Sequence, residues 1–245
     1  MNELERVEAQ AMRDAVTLGG GRAGMAGGAM CLQHPGAPAP ELNRALPVGA
    51  HVDVGEIAAW FAGHAHVVSV PPGYLGLEDA LRRHGYAPGH AWMKFRRDDR
   101  PSEPVPTDLG VEESLDSDAF AVAFAEGFGI PSEVAAGLCG FVGAPGWHSF
   151  VAWAGDEPAA AAALYSDGEQ AWLGIAATRP AFRRRGAQRA LIAARIECAR
   201  RLGARRLSTE TGERVPSGPD QSYRNILRGG FHEAYLRPNW RSGGA

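Results

Sequence analysis

A chain of 245 residues that is 45% hydrophobic and carries a formal charge of −3 is long for one small α/β domain and comfortable for two lobes. The mildly acidic balance excludes general nucleic-acid binding, which leaves a basic face, and no apolar run approaches the length of a membrane span. Cys31, Cys139 and Cys198 are far apart and lack the paired spacing of a disulfide framework or metal site, which predicts reduced thiols in a cytoplasmic protein. The first twenty residues follow an acidic helix pattern without the basic and apolar regions of a signal peptide.

In chain order, Leu4, Val7, Ala11, Ala15 and Val16 form a stripe that predicts a helix over Asn2 to Val16. The letters Gly19-x-Gly21-x-x-Gly24 match a dinucleotide fingerprint, but no buried strand precedes them and no amphipathic helix follows, so Gly19 to Gly28 reads as a loop. Short strands are expected at Ala29 to Leu32 and Glu41 to Leu46, on either side of the proline-rich Pro35 to Pro40. Asp53 with Glu56 three residues on is a capping pattern, and Ile57, Ala58, Trp60 and Phe61 give the following helix its buried face. Then come a strand Val67 to Val70, a helix from Leu77 to His84, and a strand Ala91 to Phe95. His64 and His66 would share one strand face but have no third ligand nearby, so they read as surface histidines at a helix-to-strand junction and no metal site is expected. Asp98 to Pro106, with three prolines and several charges, is the linker, dividing an N-terminal lobe (1–98) from a second domain (107–245) across 99–106.

After the linker, Leu109 to Ser114 reads as a strand and Ser117 to Phe128 as a helix whose Phe120, Phe124 and Phe128 form a core-facing row. Ser132 is expected to cap a helix reaching Phe141, and Trp147 to Ala154 with Ala159 to Tyr165 a hairpin turned by Gly155-Asp156-Glu157. The strand Gln170 to Thr178 is mostly apolar, as a strand buried on both faces is. It feeds Arg179 to Gln188, and then a helix with Ala187, Ala190, Leu191, Ala194, Cys198 and Leu202 on one stripe, leaving Arg189, Arg195, Arg200 and Arg201 for other faces. A strand Arg206 to Thr211, a short helix Ser222 to Arg228 and a hairpin ending in Trp240 complete the chain.

The turn before the long helix carries the chemistry. Amides at a helix N-terminus lack partners within the helix and sit at the positive end of its dipole. Gly186 lets a ligand approach the backbone, and Arg183, Arg184 and Arg185 supply fixed charges, so the expected ligand is a pyrophosphate.

The run Arg183-Arg184-Arg185-Gly186-Ala187-Gln188, between a buried strand and an amphipathic helix, resembles the acyl-CoA loop of the GCN5-related N-acetyltransferases (GNAT), with Gln188 standing where the family has a small residue. Ser222 to Phe231, followed by Ala234-Tyr235, is similar to that family's late helix and closing strand. The resemblance covers about Val105 to Trp240 and implies an α/β (α+β) fold, with a mixed, mostly antiparallel sheet flanked by helices. Leu81 to Tyr86 before a tryptophan strand parallels Ile226 to Phe231, so the N-terminal lobe reads as a smaller, degenerate copy in a tandem repeat that does not bind CoA.

The resemblance implies acetyl-CoA as co-substrate, no metal, and an amine of a small molecule or peptide as acceptor, with a homodimer allowed. It places the backbone of Ile175, Ala176, Ala177 and Thr178 beside the pantetheine arm, the pyrophosphate on Arg183 to Gln188, and Ser222 and Asn225 near the CoA tail. Glu210 is the expected base; Tyr235 or Tyr223 would protonate the leaving thiolate, because the family's usual tyrosine is Ile226 here, or water would. The main alternative is a non-catalytic acyl-CoA-binding module, and a further one is a nucleotide-binding protein using the same arginine loop.

Overall fold

A computed structural model describes residues 3–34, 36, 42–216, 218 and 220–243. They form two sheets. The N-terminal segment gives α1 (Glu3–Leu18), β1 (Arg22–Ala26), β2 (Ala29–Gln33), β3 (Arg44–Pro47), α2 (Val54–Phe61), β4 (Val67–Ser69), α3 (Leu77–Arg83), β5 (Ala87–Pro88) and β6 (Trp92–Asp98). The C-terminal segment gives β7 (Gly110–Glu113), α4 (Ser117–Phe128), α5 (Ser132–Leu138), β8 (Trp147–Ala154), β9 (Glu157–Ser166) and β10 (Gln170–Thr178). It continues with α6 (Ala187–Arg201), β11 (Arg206–Gly212), α7 (Gln221–Arg228), β12 (His232–Arg237) and β13 (Asn239–Arg241).

The first sheet runs β1-β2-β3-β4-β13-β5 and the second β7-β8-β9-β10-β11-β6-β12. Both follow one plan: antiparallel neighbours lead to one parallel pair, β3 with β4 and β10 with β11, around a crossover helix, α2 or α6. In each, the strand next to the far edge is borrowed. The N-terminal segment's β6 lies between β11 and β12, and the C-terminal segment's β13 lies between β4 and β5. The segments 1–98 and 107–245 therefore do not each own a sheet. Trp92 to Asp98, read as part of the N-terminal lobe, is hydrogen-bonded in the second sheet, and the expected last hairpin is two strands in different sheets. Pattern alone could not show this, because a strand's periodicity says which face is buried and not which neighbour it pairs with.

Helix α1 ties the two halves together. Its Val7, Ala11, Met12 and Val16 share a core with Leu32 and Leu46 of the first sheet and with Phe120, Trp147, Ala161 and Trp172 around the second. A separate core packs Leu191, Ile192 and Ile196 of α6 and Ile226 of α7 on the other face of the second sheet.

Other expectations need correction. Arg22 to Ala26 is a strand, not loop: Gly27 and Gly28, with φ of 53° and 72°, make the two-residue turn that joins it to β2. Phe128, at the exposed end of the row on α4, is 55% exposed, whereas Phe120 is fully buried. Helix α5 stops at Leu138 and begins after Pro131 without a side-chain cap from Ser132. The strand expected at Glu41 to Leu46 begins at Arg44; Glu41, Pro35 and residues 37–40 lie outside the described residues. No helix among the described residues is long and apolar enough to cross a membrane.

Candidate functional site

The site is built where β10 leaves its neighbours. Parallel pairing with β11 runs only from Gln170–Arg206 to Leu173–Thr209, and then the two strands part. On the other side the register with β9 slips between Gly174 and Ala177, a bulge at which Ile175 takes φ 46°, a conformation that a β-branched residue rarely adopts. Arg195, which the helical pattern left on a polar face of α6, is instead 3% exposed and holds this bulge. Its Nη1 donates to the carbonyls of Ala163 (3.0 Å) and Gly174 (3.2 Å), and its Nε to Leu191 (3.0 Å). Burial pushes its pKa down to about 9, so it stays a cation at neutral pH. A lone arginine on a helix reads from sequence as solvated, and no signal marked it.

Thr178 leads into the turn. Arg179 anchors it, donating to Glu126 Oε2 (2.8 Å) and to the carbonyl of Pro158 (2.9 Å), and Pro180–Phe182 make a short 3-10 turn. Arg185 is paired with Asp108 at 2.5 Å, whereas Arg183 and Arg184 are exposed and form no ion pair among the described residues. Gly186 stands at the N-cap of α6 with φ 85° and no side-chain cap, so the first amides of the helix face outward unsatisfied. A Cβ at Gly186 would meet the carbonyl oxygen of Pro106 at 3.0 Å, and Thr107 Oγ1 donates to the carbonyl of Arg185 (2.8 Å), so the linker backs the loop. These features fit a diphosphate: outward amides, a backbone free of side chain, and two unpaired arginines.

Ser222 and Asn225 of α7 meet the loop directly. Gln188 Nε2 donates to Ser222 Oγ (3.0 Å), Asn225 Nδ2 donates to Gln188 Oε1 (2.7 Å), and Gln221 Nε2 donates to Asn225 Oδ1 (3.0 Å). Gln188, in place of a small residue, thus bridges the starts of α6 and α7.

Glu210 follows Thr209, the last residue of β11 paired to β10, and so stands where the strands part. Its carboxylate is not free. It accepts from Lys94 Nζ (2.8 Å) and Arg237 Nη2 (2.7 Å) in a buried cluster with Glu8, Glu5 and Arg44. Glu8 accepts from Lys94 as well, and from Arg237 and Arg44. Burial and the adjacent Glu8 carboxylate push the Glu210 pKa up against the pull of Arg237 and Lys94. Burial would raise Glu8 too, but Arg237, Lys94 and Arg44 outweigh it and hold that carboxyl well below its usual range.

Neither tyrosine presents a free hydroxyl. Tyr223, buried against Phe95, donates to Glu233 Oε1 at 2.5 Å, and burial with that carboxylate pushes it up to about 12. Tyr235 donates to Glu5 Oε1 at 2.5 Å, and burial and Glu5 raise its pKa further still. Ile226, at the family's usual tyrosine place, is core.

His66, expected at the surface, is instead a satisfied core residue: it stacks on Phe61 at 3.9 Å, and its ring nitrogens meet the carbonyl of His64 and the hydroxyl of Tyr86. Among the described residues, Glu113, His148 and Cys198 are the group whose ligand atoms could hold a metal, all within 4.8 Å of one another. Sequence spacing gave no sign of it, since they come from β7, β8 and α6. Arg201 stands 3.8 Å from Glu113, and His148 Nδ1 bonds Glu113 at 2.6 Å, so the cluster is neutralised within the protein.

Residues 113–215 match the family model described as the acetyltransferase (GNAT) family. Among solved structures, the GCN5-related N-acetyltransferase from Kribbella flavida is similar with a TM-score of 0.65 and 19% identity, covering 100% of this chain and 97% of that one. The GCN5-related N-acetyltransferase from Sphaerobacter thermophilus is similar with a TM-score of 0.60 and 18% identity over 77% of this chain. It is the longer protein, of which this chain spans 64%. A tandem GNAT protein from the clavulanic acid biosynthesis pathway is similar with a TM-score of 0.59 and 17% identity, covering 89% of this chain and 78% of that one. Comparison with curated proteins gave no match. At these identities the structural likeness shows the fold, and the match to the acetyltransferase (GNAT) family model, at residues 113–215, takes in the loop and both strands beside it.

Proposed function

We propose that the protein transfers an acetyl group from acetyl-CoA to a primary amine of a small molecule or peptide, by direct attack of the neutral amine in a ternary complex. The observation that supports this best is the start of α6: an uncapped, glycine-opened helix N-terminus with unpaired arginines, reached from a strand that parts from its parallel neighbour. The amides of Arg184 to Gln188, with the side chains of Arg183 and Arg184, hold the pyrophosphate. The backbone of Ile175 to Thr178, free of β11, lies along the pantetheine arm, and Gln188, Ser222 and Asn225 border its entry.

An amine is mostly protonated at neutral pH, so a group at the parting of the strands must accept a proton. We assign this role to Glu210, acting through water because Lys94 and Arg237 occupy its carboxylate. The tyrosines are poor acids here. Each already donates to a carboxylate and holds its proton more tightly than a free phenol, whereas a thiol has a pKa of roughly 8.5 and leaves without help. Water is therefore the proton source for the thiolate.

Release of free thiol from acetyl-CoA across a panel of amines tests this reading. An amine-dependent signal is expected. Tight CoA binding with no thiol release from any amine would favour a non-catalytic acyl-CoA-binding module, a reading that the engaged carboxylate of Glu210 and hydroxyl groups of Tyr223 and Tyr235 also suit.

A further inference from the structure

Three side chains with no part in the acetyl-transfer site converge near the far end of α6. Strands β7 and β8 pair antiparallel with Glu113 opposite Phe150, and His148 shares the face of Phe150 by the two-residue period of a strand. Glu113 and His148 are thus diagonal neighbours on one face of the sheet. It is the face that α6 covers, since Phe150 and Cys198 belong to the same core. Cys198 meets the pair from above, and the ligand atoms of Glu113, His148 and Cys198 all lie within 4.8 Å of one another. Along α6, at ~1.5 Å per residue, Cys198 stands about 18 Å from Gly186, so the group is remote from the loop at the helix start.

Thiolate, imidazole and carboxylate together form a donor set for a borderline-soft divalent ion, whereas Mg²⁺ and Ca²⁺ take oxygen ligands. Bonds of about 2.0–2.3 Å to a tetrahedral centre put ligand atoms roughly 3.3–3.6 Å apart, so small side-chain shifts close this group on one ion. The thiol of Cys198 is buried while His148 and Glu113 are partly exposed, which leaves an entry from solvent and a protected sulfur inside. Two paired strands and a helix hold the three donors. In the ion-free chain His148 Nδ1 bonds Glu113 at 2.6 Å and Arg201 stands 3.8 Å from the same carboxylate. An ion replaces both contacts, and Arg201, largely exposed, turns to solvent.

We propose that Glu113, His148 and Cys198 bind one Zn²⁺, with water as fourth ligand, as a structural clamp that holds β7 and β8 to the C-terminal half of α6. Binding forms a zinc–sulfur bond and releases the Cys198 thiol proton to solvent; thiolate and carboxylate together balance the charge of the ion, which changes no oxidation state. The clamp is independent of the acetyl-transfer reading.

The untagged full-length chain, stripped with EDTA and dialysed into metal-free buffer, tests this with Zn²⁺ and Co²⁺ as probes. Calorimetry should give one Zn²⁺ per chain, and Zn²⁺ but not Mg²⁺ should raise the thermal unfolding midpoint. Co²⁺ should produce a thiolate-to-metal charge-transfer band, which Cys198→Ser abolishes. His148→Gln and Glu113→Gln, at partly exposed positions, should keep the circular dichroism spectrum and weaken Zn²⁺ binding by at least about tenfold. No Zn²⁺ binding by the stripped wild-type chain would overturn the clamp, as would Co²⁺ binding without the thiolate band or Zn²⁺ affinity unchanged in His148→Gln. If Cys198→Ser does not fold, the wild-type band and His148→Gln decide the matter.

Discussion

Two crossover helices occupy equivalent places in the two sheets, α2 after β3 and α6 after β10, yet their N-termini are chemical opposites. At α2, Asp53 is the N-cap and its carboxylate accepts from the amide of Glu56 at 3.0 Å; Glu56 in turn accepts from the amide of Gly27 at 3.0 Å. The β1–β2 turn covers the same place, since a Cβ at Gly27 or Gly28 would meet the carbonyl oxygen of Asp53 or His51 at about 2 Å. At α6 the cap is a glycine with no side chain, and Arg189 stands at the place that Glu56 has in α2. One helix start has taken up its own anions; the other is left for a ligand. A single plan, repeated, therefore has an uncapped helix start, the proposed phosphate site, in one half and a satisfied structural joint in the other.

The largest expected effect breaks the comparison by breaking the junction between the halves. Glu8→Ala leaves Arg237, Lys94 and Arg44 as buried cations short of a partner, a change that typically costs about 3–5 kcal/mol. Because the halves exchange β6 and β13, urea unfolding should stay a single transition, shifted to lower midpoint. Two separate transitions would show that the halves do not depend on one another. The same carboxyl sets an acid limit. Held below its ordinary range, Glu8 binds its proton more weakly folded than unfolded, so its contribution is present above about pH 4.3 and is lost as pH falls toward its folded pKa. Urea midpoints of the wild type measured from neutral pH downward should fall through this range, and the Glu8→Gln protein should show a shallower acid limb.

The next effect tests the ligand side. Gly186→Glu puts a carboxylate at the open helix start and forces a side chain into φ 85° against Pro106, so CoA affinity should fall by about a hundredfold, with the circular dichroism spectrum retained. Calorimetry on the wild type should give one CoA per chain. A second equivalent surviving in the Gly186→Glu protein would mean that the first sheet binds as well.

A smaller effect sharpens the contrast at α2. Asp53→Ala removes the cap and should cost about 1 kcal/mol in thermal or urea unfolding, without creating a CoA site, since Glu56 and the β1–β2 turn remain. The smallest concerns Tyr235→Phe. With water protonating the thiolate, turnover should change by less than about threefold, although the lost bond to Glu5 lowers stability. A fall of about a hundredfold, once an acceptor amine is known and chemistry limits the rate, would restore Tyr235 as the acid.

Much of this is legible in the sequence alone. The loop 183–188 could be read because a helix N-terminus, a glycine and clustered arginines are neighbours in sequence, and so could the Asp53 cap, whose donor and acceptor lie three residues apart. Gln188, Ser222 and Asn225 were singled out separately, and the fold joins them. Arg195 was not legible, because what makes it important is the pair of carbonyls freed by a bulge in another element. The fates of Glu210 and Tyr235 were hidden for the same reason: their partners, Lys94 and Glu5, are 116 and 230 residues away.

The sequence by itself determined the local units: periodicity set which faces are buried, and caps and glycines set where helices begin. Only the tertiary structure decided which strand completes which sheet and which charges meet out of water. Backbone hydrogen bonding in a sheet is indifferent to chain order, so β6 and β13 could be exchanged without any mark in their own residues. A charge's free energy depends on its desolvation and on partners brought from afar, so whether a glutamate is a free base or one corner of a buried network is fixed only when the chain has folded.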